Sequence, residues 1–563
     1  MQPVTKGQVR GDIAGGVNAA VVALPLALAF GVLSGAGAMA GFYGAIFVGL
    51  FAALFGGTAA QISGPTGPTA LVMVAVLTHY AYDPAQAFTV VMISGVCQIL
   101  FGALRLGRYI NLMPYPVVSG WMSGIGTVII IMAVGPLIGH DSSMTPQQAL
   151  VSLPREFREI NPSAVLVGIV TLAVASLPVG RYTPLVPRPL IALVVGTVLA
   201  SFLPPVPLLG ERAPLIPSIV WPHWNLADAG DMLFAGLMIA LLGSIDSLLA
   251  SLAADAKTNT WHNSDRELVG QGIGNLVAGL FGGIPGAGTQ VRTLTNIRNG
   301  GRTRLSGVIH SLALVVMVVA LYVTLPMIPM AALAGVLIRI ALTIIDWRYL
   351  RLVRTAPRSG VALMFSVLLL TLSVNLLVAV AFGTILASLI FVKRMADLQL
   401  EGVRTLDNTA GESSLSPAEA ELMERLEGRV LLVQLSGPMS FGAATGLHRR
   451  MRGYQDYDVL ILDLTDVPSI DSSATLALEQ IILTSSAAGH RVELVGIRMP
   501  VARVFARLGV LDLIRDCDRH ATRLDALNAA LANLGLAPPE APAADAPHET
   551  VERGAVAAGG KGG

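Results

Sequence analysis

Charge is scarce in this 563-residue sequence and unevenly placed. Only 13% of the residues are Asp, Glu, Lys or Arg, whereas soluble proteins average about 25%. Residues 11–104 contain no lysine or arginine, and their only acids are Asp12 and Asp83. The formal net charge of +1 gives no reason to expect a nucleic-acid partner. These absences exclude an ordinary soluble chain and indicate a membrane protein.

Reactive and metal-binding side chains are also few. The two cysteines, Cys97 and Cys517, cannot form a CxxC site or a disulfide framework. The nine histidines are scattered without zinc-ligand spacing, and no nucleophile–base motif is visible. The sequence therefore predicts neither an enzyme, such as a membrane carbonic anhydrase, nor a resident cofactor.

Long apolar runs fill the first 396 residues. About fourteen runs lie between residues 12 and 392, but two of them, 66–79 and 289–298, are too short to cross a bilayer. If both termini are cytoplasmic, nearly all basic residues of the loops, Arg188 and Arg298 among them, lie inside, as the positive-inside rule demands. The first run continues into another instead of ending in a cleavage site. We therefore expect a multi-pass domain (1–396) in a bacterial inner membrane; the alternative is twelve spans with two re-entrant segments.

The apolar runs repeat. "GDIAGGVNAAVVALP" (11–25) is echoed by "GDMLFAGLMIALLGSID" (230–246), and "FGGTAAQISGPT" (55–66) by "FGGIPGAGT" (281–289). Seven runs precede residue 205 and seven follow residue 230, and an odd number per repeat gives the two halves opposite orientations. Inverted repeats with interrupted segments at matching positions are typical of the binding sites of transporters. The alternative is that glycine-rich turns recur by chance.

The composition becomes that of a soluble protein after residue 396. Apolar segments at 429–437, 458–466 and 490–496 predict strands, and 472–488, 499–508 and 521–534 predict helices. This alternation indicates a cytoplasmic α/β domain over residues 397–535. Residues 536–563 are rich in proline, alanine and glycine and predict a disordered tail.

The two short runs suggest an anion site. A helix that begins in mid-membrane exposes its first N–H groups and the positive end of its dipole, and two such ends can converge on one anion. Four hydroxyl groups would add donors: Ser63, Thr66, Thr69 and Thr289. Glycines, Gly288 among them, would let a ligand reach the backbone. The alternative is that glycine and proline only let the spans cross closely.

Three charged residues lie within apolar runs, away from their ends. A buried arginine is costly, so Arg292 either contributes positive charge to the anion site or pairs with a carboxylate. Asp246 could bind a cation, carry a proton or pair with Arg292. We expect Arg339 to reach the interface or another helix.

Two long segments match a known family. The stretch "GDIAGGVNAAVVALPLALAFGVLSGAGAMAGFYGAIFVGLFAALFGGTAAQISGPTGPT" and "GQGIGNLVAGLFGGIPGAGTQVRTLTNIRNGG" (270–301) resemble the SulP anion transporters, and most of all their cyanobacterial bicarbonate-transporter branch. The carboxy-terminal domain resembles a STAS domain. This resemblance, over about residues 8–535, implies fourteen spans as seven-plus-seven inverted repeats, a core domain moving against a gate domain, an anion between the third and tenth spans, and homodimers that involve the STAS domain.

The resemblance also implies roles for single residues. Thr66 matches an anion-contacting threonine of the bicarbonate branch, and Arg292 matches a basic residue near the anion in other members. Asp246 matches the acid that holds sodium, and Gly288 a backbone sodium contact. In that branch a threonine, also a sodium ligand, follows the aspartate four residues later, whereas this chain has Ala250.

The missing hydroxyl weakens the expected sodium site, because a hard cation needs several oxygen ligands. Thr289 or Gln290 could replace it, and proton coupling through Asp246 is the alternative.

In the STAS-like domain, "SIDSSATLAL" (469–478) aligns with a loop that is phosphorylated in anti-sigma-factor antagonists. Ser472 or Ser473 could carry phosphate, but the favoured interpretation is that Asp471 caps a helix.

Together these features predict a secondary transporter of small inorganic anions that works by an elevator-type movement and is coupled to sodium or protons. Bicarbonate is the first choice of substrate, sulfate the second and a small dicarboxylate the third. The competing hypothesis is an uncoupled anion channel, or an anion sensor that signals through the STAS domain.

Overall fold

The chain folds into two compact units that divide between Ala387 and Ser388. A computed structural model describes residues 6–110, 114–141, 145–177, 188–210, 214–225, 227–373, 376–406, 415–440 and 456–536. The first unit is helical, and the second combines helices with a sheet. One helix, Leu376–Glu401, begins in the first unit and continues past the division, and it ends beyond the predicted domain boundary at residue 396. Apart from Leu536, the predicted disordered tail lies outside the described residues.

A helix coincides with every predicted apolar run of the membrane domain. The elements are α1 (Lys6–Leu33), α2 (Ala38–Phe55), β1 (Ser63–Pro65), α3 (Gly67–His79), α4 (Pro84–Ala103), α5 (Gly107–Ile110), α6 (Tyr115–Ile138), α7 (Pro146–Glu156), α8 (Pro162–Ser176), α9 (Arg188–Ala200), α10 (Ala229–Thr258), α11 (Ser264–Leu280), β2 (Gly286–Gly288), α12 (Gln290–Arg298), α13 (Arg304–Leu321), α14 (Met330–Ile344), α15 (Trp347–Leu352), α16 (Arg358–Ser373) and α17 (Leu376–Glu401). Among the described helices, six are long and apolar enough to cross a membrane, and several more are shorter. The count of fourteen spans stays a prediction.

The predicted repeat is visible in the order of the elements. Two helices, a three-residue strand and a short helix follow one another as α1-α2-β1-α3, and again as α10-α11-β2-α12. The strands β1 and β2 pair antiparallel, with Ser63 opposite Gly288 and Pro65 opposite Gly286. Because each strand leads directly into its short helix, α3 and α12 leave the pair in opposite directions.

The helices of the membrane unit pack in two groups. In the first group α11 packs against α2 and α4, α1 against α13, and α10 against α12. In the second group α6 packs against α14 and α16, while α8 packs against α9 and α14. Between the groups α1 touches α9 and α14, and α3 touches α6. Both short helices and the β1–β2 pair therefore belong to one group.

Glycines allow close packing within the first group. A Cβ atom added at Gly272 of α11 would lie 2.5 Å from the carbonyl oxygen of Gly95 on α4. One added at Gly95 would lie 2.5 Å from the amide nitrogen of Leu276. Small residues at such crossings bring helix backbones into contact, which is the usual way in which membrane helices gain packing energy.

The second unit is a five-stranded sheet with helices on both faces. Its elements are β3 (Val403–Leu406), α18 (Pro417–Arg425), β4 (Val430–Ser436), β5 (Val459–Asp466), α19 (Ser472–Ala487), β6 (Arg491–Val495), α20 (Met499–Arg507), β7 (Arg519–His520) and α21 (Arg523–Asn533). The strand order is β3-β4-β5-β6-β7, with β3 antiparallel to β4 and the other neighbours parallel. The three predicted strands are β4, β5 and β6, and the three predicted helices are α19, α20 and α21.

Alternation along β5 explains the two helix layers. Leu460 and Leu462 belong to a core cluster with α19 and α20, whereas Val459 and Ile461 join a cluster with α18 and α21. Successive side chains of a strand point to opposite faces, so a run buried on both faces needs helices on both sides. The sequence analysis missed β3, α18 and β7, which are short and lack a continuous apolar run.

The predicted cap in this unit is present. Asp471 precedes α19, and its carboxylate accepts a hydrogen bond of 2.8 Å from the amide of Ala474. Ser472 and Ser473 are exposed on the first turn of the helix. The capping interpretation is therefore confirmed, and phosphorylation of either serine stays a hypothesis.

Candidate anion-binding site

The β1–β2 pair brings the amino-terminal ends of α3 and α12 together inside the membrane unit. Glycine is required there because the neighbouring groups are close. A Cβ atom on Gly286 would lie 2.6 Å from the carbonyl carbon of Gly64, and one on Gly64 would lie 2.6 Å from Nη1 of Arg292. Gly64 also has a φ of +152°. The glycines of both interrupted segments thus bring backbone and guanidinium into contact.

Most backbone N–H groups at the amino-terminal end of α3 are hydrogen-bonded within the helix start itself or are absent. Thr66 and Thr69 form a capping box, in which the amide of Thr69 donates to the Thr66 hydroxyl and the amide of Thr66 donates to the Thr69 hydroxyl. The Thr69 hydroxyl also donates to the carbonyl oxygen of Pro285, at 3.0 Å. Pro68 has no N–H group. Of the first three helical positions, only Gly67 therefore keeps an uncapped amide for a ligand.

The end of α12 is open. Its N-cap residue, Thr289, makes no side-chain capping hydrogen bond. Its hydroxyl donates instead to the carbonyl oxygen of Ile62, at 3.2 Å, and accepts from Nε of Arg292, at 2.8 Å. The first amides of this helix, with the positive end of its dipole, are thus available to an anion. This end is the stronger candidate of the two.

Arg292 is held by neutral oxygens. Only 1% of it is exposed, and its Nη2 donates a 2.7 Å hydrogen bond to the carbonyl oxygen of Pro65. Its Nη1 has no hydrogen-bond partner among the described residues. None of the ion pairs between described residues includes Arg292, so the alternative in which it pairs with Asp246 or another carboxylate is not what the structure shows. A buried cation without an anionic partner is an electrostatic cost that a bound anion would offset.

A cavity of about 650 Å³ opens at this point between the two helix groups. Six of the residues predicted from the sequence line it: Thr66, Asp246, Gly288, Thr289, Gln290 and Arg292. Ser63 and Thr69 do not line it. The Ser63 hydroxyl is buried and accepts a hydrogen bond of 2.6 Å from Nε2 of Gln271, and the Thr69 hydroxyl belongs to the capping box.

Asp246 stands on the cavity wall, near the middle of α10, and interacts with the Thr66 hydroxyl. Gly288 and Gln290 also line this cavity. Ala250, one turn further along α10, is fully buried. The candidate oxygen donors for a small cation near Asp246 are therefore the Thr66 hydroxyl, the Gly288 backbone and the Gln290 side chain, and position 250 offers none.

The sequence analysis did not assign several polar residues to this cavity. Three further arginines line it, as do two asparagines: Arg188, Arg298, Arg339, Asn18 and Asn299. Arg188 and Arg298 were expected in loops, and Arg339 was expected to reach the interface or another helix. The signal was visible only for Arg339, which interrupts the apolar run "GVLIRIALTII".

Glu267, which the sequence analysis did not assign, holds in place the segment that precedes β1. It is 1% exposed, and its carboxylate accepts hydrogen bonds from the amides of Gly57 and Thr58 at 2.9 and 2.8 Å. It also accepts from Nε2 of Gln61 at 2.9 Å and of Gln271 at 2.8 Å. These contacts anchor the segment that leads into β1 on α11. Glu267 therefore has a structural reason to be a buried acid.

Comparison with known proteins agrees with this architecture. Residues 9–367 match the sulfate permease family, and residues 423–524 match the STAS domain. The chain belongs to the sulfate permease family. This confirms the resemblance seen in the sequence. Like the family, the chain is a membrane transporter and not an enzyme.

Two relatives and one fold neighbour place it within the family. The bicarbonate transporter BicA of Picosynechococcus sp. is 40% identical over 508 residues, which cover 87% of this chain and 89% of that protein. The solved transmembrane domain of a cyanobacterial BicA is 42% identical, with a TM-score of 0.63 over 66% of this chain and 97% of that structure. The structure of SLC26A9 has a TM-score of 0.78 over 93% of this chain and 90% of that chain, but at 16% identity it shows the fold alone.

Proposed function

We propose that this member of the sulfate permease family is a secondary active transporter of bicarbonate. The observation that carries the proposal is the cavity in which the uncapped end of α12 meets Arg292, a buried cation without an acidic partner among the described residues. Such a site favours a small anion with several oxygen acceptors. Bicarbonate is the first choice because the BicA relatives are bicarbonate transporters.

The proposed binding site consists of the α12 amides, the Thr66 and Thr289 hydroxyls and the Arg292 guanidinium. All of them belong to the first helix group, while the opposite wall of the cavity comes from α9 and α14 of the second. A bound anion would therefore travel with the first group if that group slides against the second. This division supports an elevator-type movement.

We propose that Asp246 couples the anion to a cation. Its carboxylate, with the Thr66 hydroxyl, the Gly288 carbonyl and the Gln290 amide, offers oxygens for sodium. Because Ala250 contributes none, a proton carried by Asp246 is the competing form of the proposal. An uncoupled channel, or a sensor acting through the STAS domain, would use the same anion site without this step.

Sulfate is the second candidate substrate. The family is named for sulfate permeases. Of the charged residues described in the cavity lining, four are arginines (Arg188, Arg292, Arg298 and Arg339) and one, Asp246, is an acid. Such an excess of positive charge attracts a dianion more strongly than a monoanion, so a small dicarboxylate is the third.

Uptake into proteoliposomes tests these proposals directly. The purified chain is reconstituted, and initial uptake of labelled bicarbonate and of labelled sulfate is measured with a sodium gradient, with a proton gradient and with neither. Accumulation of bicarbonate above equilibrium under one gradient is expected. No accumulation of any of the anions would reject secondary transport, and currents of channel size without coupling would favour the channel.

We further propose that the chain lies in a bacterial inner membrane with both termini in the cytoplasm, and that it forms homodimers through the STAS domain. The arginine-rich loops support the orientation. The mass of the detergent-solubilised protein, with and without the carboxy-terminal domain, tests the dimer. Labelling of single cysteines introduced near either terminus, in sealed right-side-out vesicles, tests the orientation.

A further inference from the structure

The cavity reaches well beyond the proposed anion site. Along α12 it is lined by Val291 and Arg292, then by Thr295, and finally by Arg298 and Asn299. This spacing of three and four residues is one face of a helix. Arg292 and Arg298 are six residues apart, which corresponds to roughly 9 Å along the helix axis. The cavity is therefore long enough to hold two small anions at separate positions.

Basic residues of both helix groups line this cavity. Arg298 ends α12 in the first group, whereas Arg188 begins α9 and Arg339 lies in the second half of α14, both in the second group. Among the residues that the structure describes, no ion pair or hydrogen bond involves the side chain of Arg339. Among the described residues that line the cavity, Asp246 is the only acid.

An arginine within a membrane helix is costly unless its charge is compensated. Thr289 and Pro65 each accept one hydrogen bond from Arg292, whereas Arg339 lines the cavity from the second helix group. Four cationic side chains and one carboxylate in a space of about 650 Å³ create a strongly positive potential, which focuses anions from solution.

We propose that Arg298, Arg339 and Arg188 form a second anion subsite, separate from the Arg292 site, which an inorganic oxyanion occupies on its way to or from that site. The inference rests on the proposed anion transport and deepens it. Because the subsite takes arginines from both helix groups, it exists only while the groups are arranged as in this structure. It would therefore concentrate the anion on one side of the membrane and lose that effect when the first group moves.

Kinetics of Arg339→Gln test the subsite. Initial uptake of bicarbonate and of sulfate is measured in proteoliposomes over a range of anion concentrations and at two ionic strengths. We expect the half-saturating concentration to rise roughly tenfold with little change in the maximal rate, because local anion concentration is lost while the Arg292 site is intact. The variant should also lose most of the salt dependence of uptake. Arg339→Lys should restore both.

Arg351→Gln is the matched control, because Arg351 is an exposed arginine of α15 that does not line the cavity. It removes the same charge from the same unit and should leave the kinetics unchanged. An equal effect of both variants would overturn the subsite, since it would show a general effect of net charge. A normal half-saturating concentration in Arg339→Gln would overturn it as well.

Equilibrium binding separates this inference from the transport proposal. Binding of labelled bicarbonate and of labelled sulfate to the purified full-length chain in detergent is measured in a sealed dialysis cell. Two bound anions per chain, reduced to one by Arg339→Gln, support the subsite even if no uptake is found. One bound anion per chain in the unmodified protein rejects the subsite, and leaves the transport proposal intact if uptake occurs.

Discussion

Arg292 on α12 donates a hydrogen bond of 2.7 Å from Nη2 to the carbonyl oxygen of Pro65 at the end of β1. The contact joins the two interrupted segments of the repeat, because the guanidinium comes from the second segment and the carbonyl from the first. It uses one edge of the guanidinium and leaves Nη1 without a partner among the described residues. The same side chain is thus both a structural link and a candidate ligand-binding group.

Arg292→Gln should therefore reduce anion uptake at least tenfold. Hydrogen bonds to charged groups contribute about 1.5–3 kcal/mol, and the substitution removes both the charge and the fork-shaped donor set. Arg292→Lys keeps the charge but cannot bond Pro65, Thr289 and an anion together, so we expect only partial recovery. Initial uptake rates measure the effect, and thermal unfolding of the detergent-solubilised variants checks their folding. Well-folded Arg292→Gln protein with normal uptake would place the anion elsewhere.

Asp246→Asn should remove the coupling of uptake to a cation gradient. The amide keeps the size of the side chain but cannot hold a cation by charge or carry a proton at neutral pH. Accumulation driven by the productive gradient should fall to the level of passive equilibration, while anion exchange across the membrane continues. The readout is uptake with and without the sodium or proton gradient. Gradient-driven accumulation that equals that of the unmodified chain would make Asp246 a structural residue.

Ala250→Thr provides a complementary measurement for the same step. A hydroxyl one turn after Asp246 would add the oxygen that this chain lacks there, although the buried position must accommodate a larger side chain. If sodium is the coupling ion, the variant should reach half-maximal uptake at a lower sodium concentration. If protons are the coupling ion, its uptake should stay independent of sodium.

Gly286→Ala should destabilise the membrane unit by roughly 1–3 kcal/mol, the usual cost of overpacking. The added methyl group would lie 2.6 Å from the carbonyl carbon of Gly64, and a backbone atom cannot move aside as a side chain can. Gly230→Ala on α10 is the control, because no atom lies within 4 Å of its added Cβ. A lower unfolding midpoint for Gly286→Ala alone is expected in detergent. Equal midpoints would show that β1 and β2 can separate without loss of stability.

The sequence predicted the helices and the interrupted segments because apolar runs and glycine–proline breaks are local signals. It also grouped Thr66, Thr289, Arg292 and Asp246 into one site, and the structure places all four along one cavity, although their roles in binding stay predictions. The positions of Ser63 and Thr69 were not predictable in this way. Both hydroxyls follow the same local pattern as Thr66, and only the packing of α11 and of Pro285 decides that they face protein.

Long-range packing also explains the arginines that the sequence left in loops. Arg188 follows a stretch without apolar periodicity, and Arg298 ends a short helix, so each was a reasonable loop residue. They line one cavity because the first residue of α9 and the last residue of α12, about a hundred residues apart in the sequence, both border it. The role of Glu267 could not be predicted for a related reason. Three of its four hydrogen-bond donors come from a segment some two hundred residues earlier, and the fourth comes from α11 itself.

We expect the stability of the second unit to depend on pH, because its sheet contains a buried acid. Glu493 on β6 is fully buried, and burial raises its pKa from 4.5 to about 7. A carboxyl group with a raised pKa contributes stability at pH values below its unfolded pKa, and this contribution is lost as the pH rises through the folded value. A change of this size corresponds to about 3 kcal/mol between the two limits. Asp518 acts in the opposite sense, because contacts with Arg491 and Arg515 lower its pKa, so its contribution is lost as the pH falls through the folded value.

Hydrogen–deuterium exchange of the full-length chain measures this effect locally. With intrinsic exchange rates divided out, protection of the β6 amides should fall as the pH rises from about 5 to about 8. Glu493→Gln cannot ionise and still offers an oxygen to Nδ2 of Asn533, which donates to the carboxylate at 3.2 Å, so its protection should stay nearly constant. Glu424→Gln, an exposed substitution on α18, should keep the pH dependence of the unmodified chain. If Glu493→Gln also kept this pH dependence, another group of the sheet would have to titrate, because the substitution at position 493 would then have no effect on it.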